Sequence, residues 1–179
     1  EIPLVVPEVN EDALKNYKNI NIVSNANCST IQLVLALKPL HDQFKIKRVI
    51  ISTYQSTSGA GKAPMDELLE QTKLSLESKK IVSKNFTKQI AFNAIPHIDT
   101  FVDEGYTKEE LKMVNETKKI LDKNIEITAT CVRIPVLVSH AESINIEFEN
   151  EFTIEKIRNA LNSAEGCEVI DERKDGGYI

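Results

Sequence analysis

The sequence has no apolar run approaching the roughly 20 residues that span a bilayer, and its start lacks the basic residues and apolar stretch of a secretory signal. No membrane partner is expected, and the expected location is the cytoplasm. Cysteine is scarce. Cys28, Cys131 and Cys167 are odd in number and widely spaced, which fits neither a disulfide framework nor a CxxC metal site, so reduced thiols and no bound metal are expected. Basic charge is not in excess either: 22 Lys and Arg against 27 Asp and Glu give a net charge of -5, mixed in sign along the chain. That argues against a nucleic-acid partner, which needs a basic face, and leaves anionic small molecules open. Repeats, low-complexity tracts and Gly/Ser linkers are absent as well. A chain of 179 residues with ordinary composition is then expected to form a single domain over residues 1–179.

What is present is an alternation of strand-like and helix-like segments. Ile20 to Val23 reads as a short strand running into the turn-forming cluster Ser24-Asn25-Ala26-Asn27-Cys28. A helix follows, with Ile31, Val34, Leu35 and Leu37 to Leu40 at helical spacing and Ser29 and Thr30 in its first turn. The β-branched run Val49 to Tyr54 predicts a buried strand, followed by a polar, Gly-bearing loop over Gln55 to Gly61. Next comes a helix with Pro64 in its first turn and Met65, Leu68 and Leu69 inward. Thr107-Lys108-Glu109-Glu110 is a capping box opening a helix whose apolar side carries Leu111, Val114 and Leu121. Alternation from Ile125 to Cys131, and again from Ser143 to Phe148, gives two strands, and Thr153 can cap a last helix that Gly166 ends. This order predicts an α+β fold, a mixed β-sheet layered with helices.

Several residues could carry chemistry. Cys28 sits between a strand end and a helix start, where unpaired backbone N–H groups and the helix dipole favour an anion. Such a thiol makes a better nucleophile, and the same N–H groups could hold an oxyanion; the alternative is a small residue packed in a turn. Cys131 lies on the apolar phase of its strand, and Cys167 follows Gly166 with no comparable setting, so both read as packing residues. Among three histidines, His41 ends a helix where the dipole accounts for a cation, His97 reads as a loop or core residue, and His140 lies at a loop-to-strand step suited equally to function and to structure. Arg133 falls in phase with the apolar residues Ile125 to Cys131, and an inward guanidinium needs an anion, either a structural carboxylate or a ligand. Glu109 and Lys112 share one side of a helix, as a solvated ion pair or as a binding pair. Gly59-Ala60-Gly61-Lys62 hints at a phosphate loop but lacks the P-loop spacing.

Taken in order, these segments are similar to one family. Ser24-Asn25-Ala26-Asn27-Cys28-Ser29-Thr30 resembles the nucleophile motif of aspartate-semialdehyde dehydrogenases, Asn-Pro-Asn-Cys-Ser/Thr-Thr, with Ala26 in place of the usual Pro. The similarity continues through Leu4 to Asn10, Leu37 to His41, Ser52 to Gly61, Gly105 to Met113, and Thr130 to Val136 with His140. The resemblance implies a homodimeric enzyme that reduces L-aspartyl 4-phosphate with NADPH (cofactor NADP) and releases phosphate. In it Cys28 would be the covalent nucleophile, His140 the general acid/base, and Gln55 the residue that orients the acyl group. Arg133 would clamp the substrate α-carboxylate, Glu109 would face its ammonium, Lys112 with Asn27 would hold phosphate, and Ser58 with Gly59 would touch the cofactor. The family's Gly-rich dinucleotide-binding domain and closing helix have no counterpart here, and the chain opens at Glu1 and stops after Gly176-Gly177-Tyr178-Ile179. An excised catalytic and dimerisation domain, not competent for turnover by itself, is the expectation. Another phosphorylating dehydrogenase, such as an N-acetylglutamyl-phosphate reductase, and a dimerisation-only module remain as alternatives.

Overall fold

The structure is a computed structural model that describes residues 2–19 and 21–178. The chain resolves into two compact units: Glu1–Arg48 with Glu116–Glu126 and Ile146–Ile179, and Val49–Asn115 with Ile127–Asn145. No helix among the described residues is long and apolar enough to cross a membrane.

The first unit begins with strand β1 (Leu4–Val5), helix α1 (Pro7–Asn10) and a 3-10 segment over Glu11–Asn19. Strand β2 (Ser24–Asn25) pairs parallel with β1. The expected strand over Ile20 to Val23 is therefore displaced: Ile20 lies outside the described residues, Ile22 and Val23 are exposed, and the two residues read as a turn form the ladder. Pairing with β1 overrides local preference, as it often does for short strands. Helix α2 (Cys28–Phe44) follows, and its face of Leu33, Val34, Leu37, Leu40 and Phe44 is buried. Val34 packs into a core with Leu4, Val6, Val9, Ala26 and Ile120. Phe44, Phe148 and Phe152 form an edge-on aromatic cluster with centroids 5.0 to 6.5 Å apart. His41, in the last turn of α2, is buried, and its Nδ1 accepts the Ile46 N–H at 3.1 Å. Burial, helped by Lys45, pushes its pKa down, so it serves as a neutral acceptor rather than as a cation on the helix dipole. Helix α5 (Ile154–Asn162) packs on α2 and is capped by Thr153, as expected.

Strand β3 (Ile46–Gln55) is the middle of a three-stranded sheet, flanked by β4 (Glu126–Arg133) and β5 (His140–Phe148). In the second unit β3 alternates, turning Val49, Ile51, Thr53 and Gln55 inward and Ile50 and Tyr54 outward. The same period on β4 buries Ala129, Cys131 and Arg133, so the phase argument for Arg133 is borne out. A 3-10 turn (Thr57–Ala60) leads into helix α3 (Lys62–Leu76). Pro64 lies in the first turn of α3 and Leu68 is inward, as expected, but Met65 is only half-buried, Leu69 is exposed, and the other buried positions besides Pro64 are polar, Glu67 and Gln71. These two polar residues organise the following loop. Glu67 accepts the N–H groups of Lys84 and Asn85, and Gln71 accepts those of Ile90 and Ala91. Leu68, Ile90, Ala91 and Ile95 pack beneath them. Helix α4 (Lys108–Ile120) opens with the predicted capping box: the Thr107 N–H donates to Glu110 Oε2 at 2.8 Å and the Glu110 N–H to Thr107 Oγ1 at 3.3 Å. The other Glu110 oxygen accepts the Cys131 N–H at 3.2 Å, tying the start of α4 to β4.

Candidate active site

The residues singled out in the sequence fall into two groups, one in each unit. In the first, Cys28 is the first residue of α2 and is exposed, whereas Cys131 is buried and Cys167 is half-buried. Asn27 caps the helix, its Oδ1 accepting the N–H groups of Ser29 at 2.9 Å and Thr30 at 3.3 Å. Its own N–H donates to Glu116 Oε2 at 2.8 Å. The thiol is thus carried by a turn whose backbone is fixed on both sides. Glu116 was not singled out in the sequence; only its place on the same helix as Glu109 could have drawn attention to it. The contrast among the thiols is chemical as well as steric. Burial pushes Cys131 up to about 12 and also raises Cys167.

The second group is more tightly connected. Gln55, delivered inward by the last step of β3, donates through Nε2 to Thr53 Oγ1 at 3.2 Å and to Glu109 Oε1 at 3.3 Å. Glu109 Oε2 lies 3.5 Å from Lys112 Nζ, and Asp99 Oδ2 lies 3.4 Å from the same ammonium. Lys112 keeps its charge well: burial works against it, but Glu109 and Asp99 outweigh that and raise its pKa. Asp99 is a second residue that sequence reasoning missed. It sits in a loop at positive φ, with no motif to flag it.

Arg133 is 93 % buried. Its main chain is pinned by an antiparallel bridge to Ile95, with both N–H···O bonds at 2.9 Å. Its Nη1 donates to the Ser56 carbonyl at 2.6 Å. A cavity of about 260 Å³ opens beside it, lined also by Asn85, Thr87, His97 and Asp99. His140 opens β5, and its Nδ1 accepts the Ser56 N–H at 3.1 Å. Burial lowers the His140 pKa, and Arg133 adds to this, against the Ser139 carbonyl and Glu109, which favour the charged ring. The turn Thr57–Ala60 lies over these two side chains. The N–H groups of Thr57 and Ser58 donate to the carbonyls of Val136 and Leu137 at 2.8 and 3.0 Å. A Cβ on Gly59 would stand 3.1 Å from Arg133 Nη1 and 3.2 Å from His140 Cε1, so a close approach dictates glycine here.

The first unit thus presents an exposed thiol at a helix start, and the second a connected cluster of amide, carboxylate, guanidinium and imidazole. Residues 37–178 match the family model described as "Semialdehyde dehydrogenase, dimerisation domain". The chain belongs to this family. An aspartate-semialdehyde dehydrogenase of Aquifex aeolicus is 52 % identical to it over 180 residues, covering 99 % of this chain and 53 % of the relative. Among solved structures, aspartate semialdehyde dehydrogenase II of Vibrio cholerae complexed with ASA superposes with a TM-score of 0.91 at 49 % identity, over 92 % of this chain and 49 % of that one. The Candida albicans enzyme with NADP gives 0.64 at 27 % identity, over 93 % of this chain and 45 % of that one. The chain spans about half the length of the curated relatives it matches. The family and the α+β layering expected from the sequence therefore both hold.

Proposed function

We propose that this chain is the catalytic and dimerisation domain of a cytoplasmic aspartate-semialdehyde dehydrogenase. Its substrate is L-aspartyl 4-phosphate and its product L-aspartate 4-semialdehyde, on the route to lysine, diaminopimelate, threonine and methionine. The observation that carries the reading is the exposed Cys28 at the first position of α2, in a chain whose two other thiols are withdrawn. The names of relatives about half identical to the chain point the same way.

In this mechanism the Cys28 thiolate adds to the acyl carbon, the C–S bond forms, the bond to the phosphate oxygen breaks, and phosphate leaves. The N–H groups of Ser29 and Thr30, expected from the sequence to be open to an oxyanion, are instead taken by Asn27 Oδ1. Arg133 takes the α-carboxylate with paired donors, and Glu109 takes the α-ammonium. Glu109 favours this substrate over an N-acetylated one, whose amide carries no charge to pair. Gln55, fixed by Thr53 and Glu109, orients the acyl group. Lys112 and Asn27 hold phosphate. Since Asn27 Oδ1 faces helix N–H groups, the phosphate contact falls to its Nδ2. His140 moves the proton on the carbonyl-derived oxygen. The turn carrying Ser58 and Gly59 fits one edge of a nicotinamide cofactor: it is small-sided, and Gly59 and Ala60 are exposed beside Arg133 and His140. When bound, NADPH supplies the hydride.

A second copy of the chain is the proposed partner. Ile50 and Tyr54, each 41 % exposed on the outward side of β3, offer an apolar sheet surface for it. The deciding experiment uses the protein expressed from its complete coding sequence. Cys28→Ala should abolish phosphate-dependent turnover with NADPH, and Arg133→Ala should raise the substrate KM by roughly a hundredfold. Normal turnover by the Cys28→Ala protein refutes the covalent reading.

A further inference from the structure

Glu116 has no part in the proposed chemistry, yet it holds the residue next to the nucleophile. Helix α2 carries the first half of a capping box: the Asn27 carboxamide accepts the N–H groups of Ser29 and Thr30. In the second half, a Glu or Gln at the third helical position reaches back to the N–H of the capping residue. Here that position is Thr30, which is fully buried, and its hydroxyl has no hydrogen-bond partner among the described residues. Glu116 supplies the bond from another helix, 89 residues along the chain, its Oε2 accepting the Asn27 N–H at 2.8 Å. Glu110 makes the local version of this bond to Thr107, also at 2.8 Å.

An apolar contact lies beside the tether. Ala26 is buried in one core cluster with Ile120, which lies one turn after Glu116 on the same side of α4, and Ile31 of α2 packs against that cluster. Asn25, one residue earlier, is paired with Val5. The approach to the thiol is therefore anchored at each step: by the ladder at Asn25, by the core at Ala26 and by Glu116 at the peptide N–H of Asn27. All of these residues belong to the first unit.

We propose that Glu116 is a positioning residue for the nucleophile: it completes the cap of α2 from outside the helix, so that Asn27 keeps its orientation and Cys28 its place at the first helical position. The role belongs to the acceptor oxygen and not to the charge, since a carboxamide oxygen can accept the same N–H. Rotation of the peptide between Ala26 and Asn27 would carry the Asn27 carboxamide and the Cys28 backbone with it, and a misplacement of about 1 Å costs on the order of a hundredfold in rate. The inference rests on Cys28 as the nucleophile and on Asn27 as a phosphate contact.

The test uses the protein expressed from its complete coding sequence, with each variant checked for folding by circular dichroism and assayed well below its Tm. Glu116→Ala should lower kcat by about ten- to thirtyfold, while the substrate KM changes by less than about threefold, because Arg133 and Glu109 hold the carboxylate and ammonium. The concentration of inorganic phosphate that half-protects Cys28 from iodoacetamide should rise by about three- to tenfold, the worth of one hydrogen bond. Glu116→Gln, which offers an oxygen at the same reach, should stay within about threefold of wild type in both readouts. Glu116→Asp is one methylene short, should lose about as much as Glu116→Ala, and keeps the test open if that variant fails to fold. Thr153→Ala removes the cap of α5 in the same unit and should leave kcat and phosphate protection unchanged in the folded protein. Wild-type kcat and protection in folded Glu116→Ala, or in Glu116→Asp where only that variant folds, overturns the inference. An equal loss in Glu116→Gln or in Thr153→Ala also overturns it, because charge or general loosening then accounts for the effect. Normal turnover in Cys28→Ala overturns instead the covalent reading on which it rests.

Discussion

Replacing Gly59 by alanine adds one carbon at the place where the turn meets Arg133 and His140. That carbon would lie 3.1 Å from Arg133 Nη1, 3.2 Å from His140 Cε1 and 3.3 Å from His140 Nε2. Such separations force the neighbours to move by a few tenths of an ångström. Neither side chain yields easily: Nη1 is held by the Ser56 carbonyl at 2.6 Å and the ring by the Ser56 N–H at 3.1 Å. A displacement of 1 Å costs on the order of a hundredfold in rate, so a few tenths should lower kcat by about three- to tenfold. The affinity for a non-reactive aspartate analogue, measured by calorimetry without cofactor, should weaken to a similar extent. Stability should change by less than about 1 kcal/mol, because the added methyl shifts two side-chain ends by a few tenths of an ångström and leaves the apolar core as it is. Gly61 is the control. It has φ 103° and ψ −176°, and a Cβ there meets nothing within 4 Å. Gly61→Ala should therefore cost about 1–3 kcal/mol of stability through backbone strain and leave analogue binding intact once folded. Wild-type affinity and kcat in Gly59→Ala would refute the packing argument.

Three further outcomes are expected. Brief treatment with iodoacetamide at neutral pH should label Cys28 first, with Cys131, buried and pushed up to about 12, last; peptide mapping by mass spectrometry reads the order. Burial alone would raise the carboxyl of Glu67, but the N–H groups of Lys84 and Asn85 and the side-chain amides of Asn85 and Gln71 hold it below its ordinary 4.5. A depressed folded value contributes stability above 4.5 that is lost as the pH falls through the folded value. Glu67→Gln should thus cost about 2 kcal/mol at pH 7 in urea unfolding, with the gap to wild type narrowing below about pH 4.5. Thr117 is fully buried and its hydroxyl has no hydrogen-bond partner among the described residues, so Thr117→Val should gain up to about 1 kcal/mol, a rise of about 2–4 °C in Tm by calorimetry.

The parts of this molecule that were legible in advance are those governed by period and by local chemistry. Alternation on β4 is enough to place Arg133 inward, and Thr107 with Glu110 marks the start of α4. Long-range pairing was not legible. Ser24 and Asn25 form a strand only because Leu4 and Val5 lie alongside, and nothing local distinguishes them from a turn. Hydrophobicity points Leu69 inward, yet the buried side of α3 carries Glu67 and Gln71, whose partners lie up to 20 residues further along the chain. Ser56 and Asp99 escaped for the same reason: their importance lies in the ring and the ammonium they touch, and no spacing encodes that.

Glu110 shows how such wiring shapes what sequences may become. One of its oxygens closes the cap with Thr107 and the other receives the amide of Cys131. A glutamine there has a single acceptor oxygen, so it can serve the helix or the strand but not both. Drift at this position is therefore blocked by connectivity alone, although the side chain touches none of the groups assigned to substrate. In any set of descendants an unchanging acid would stand here next to Glu109, and the two would look alike in a column of letters. One would be kept for what it binds, the other for what it joins.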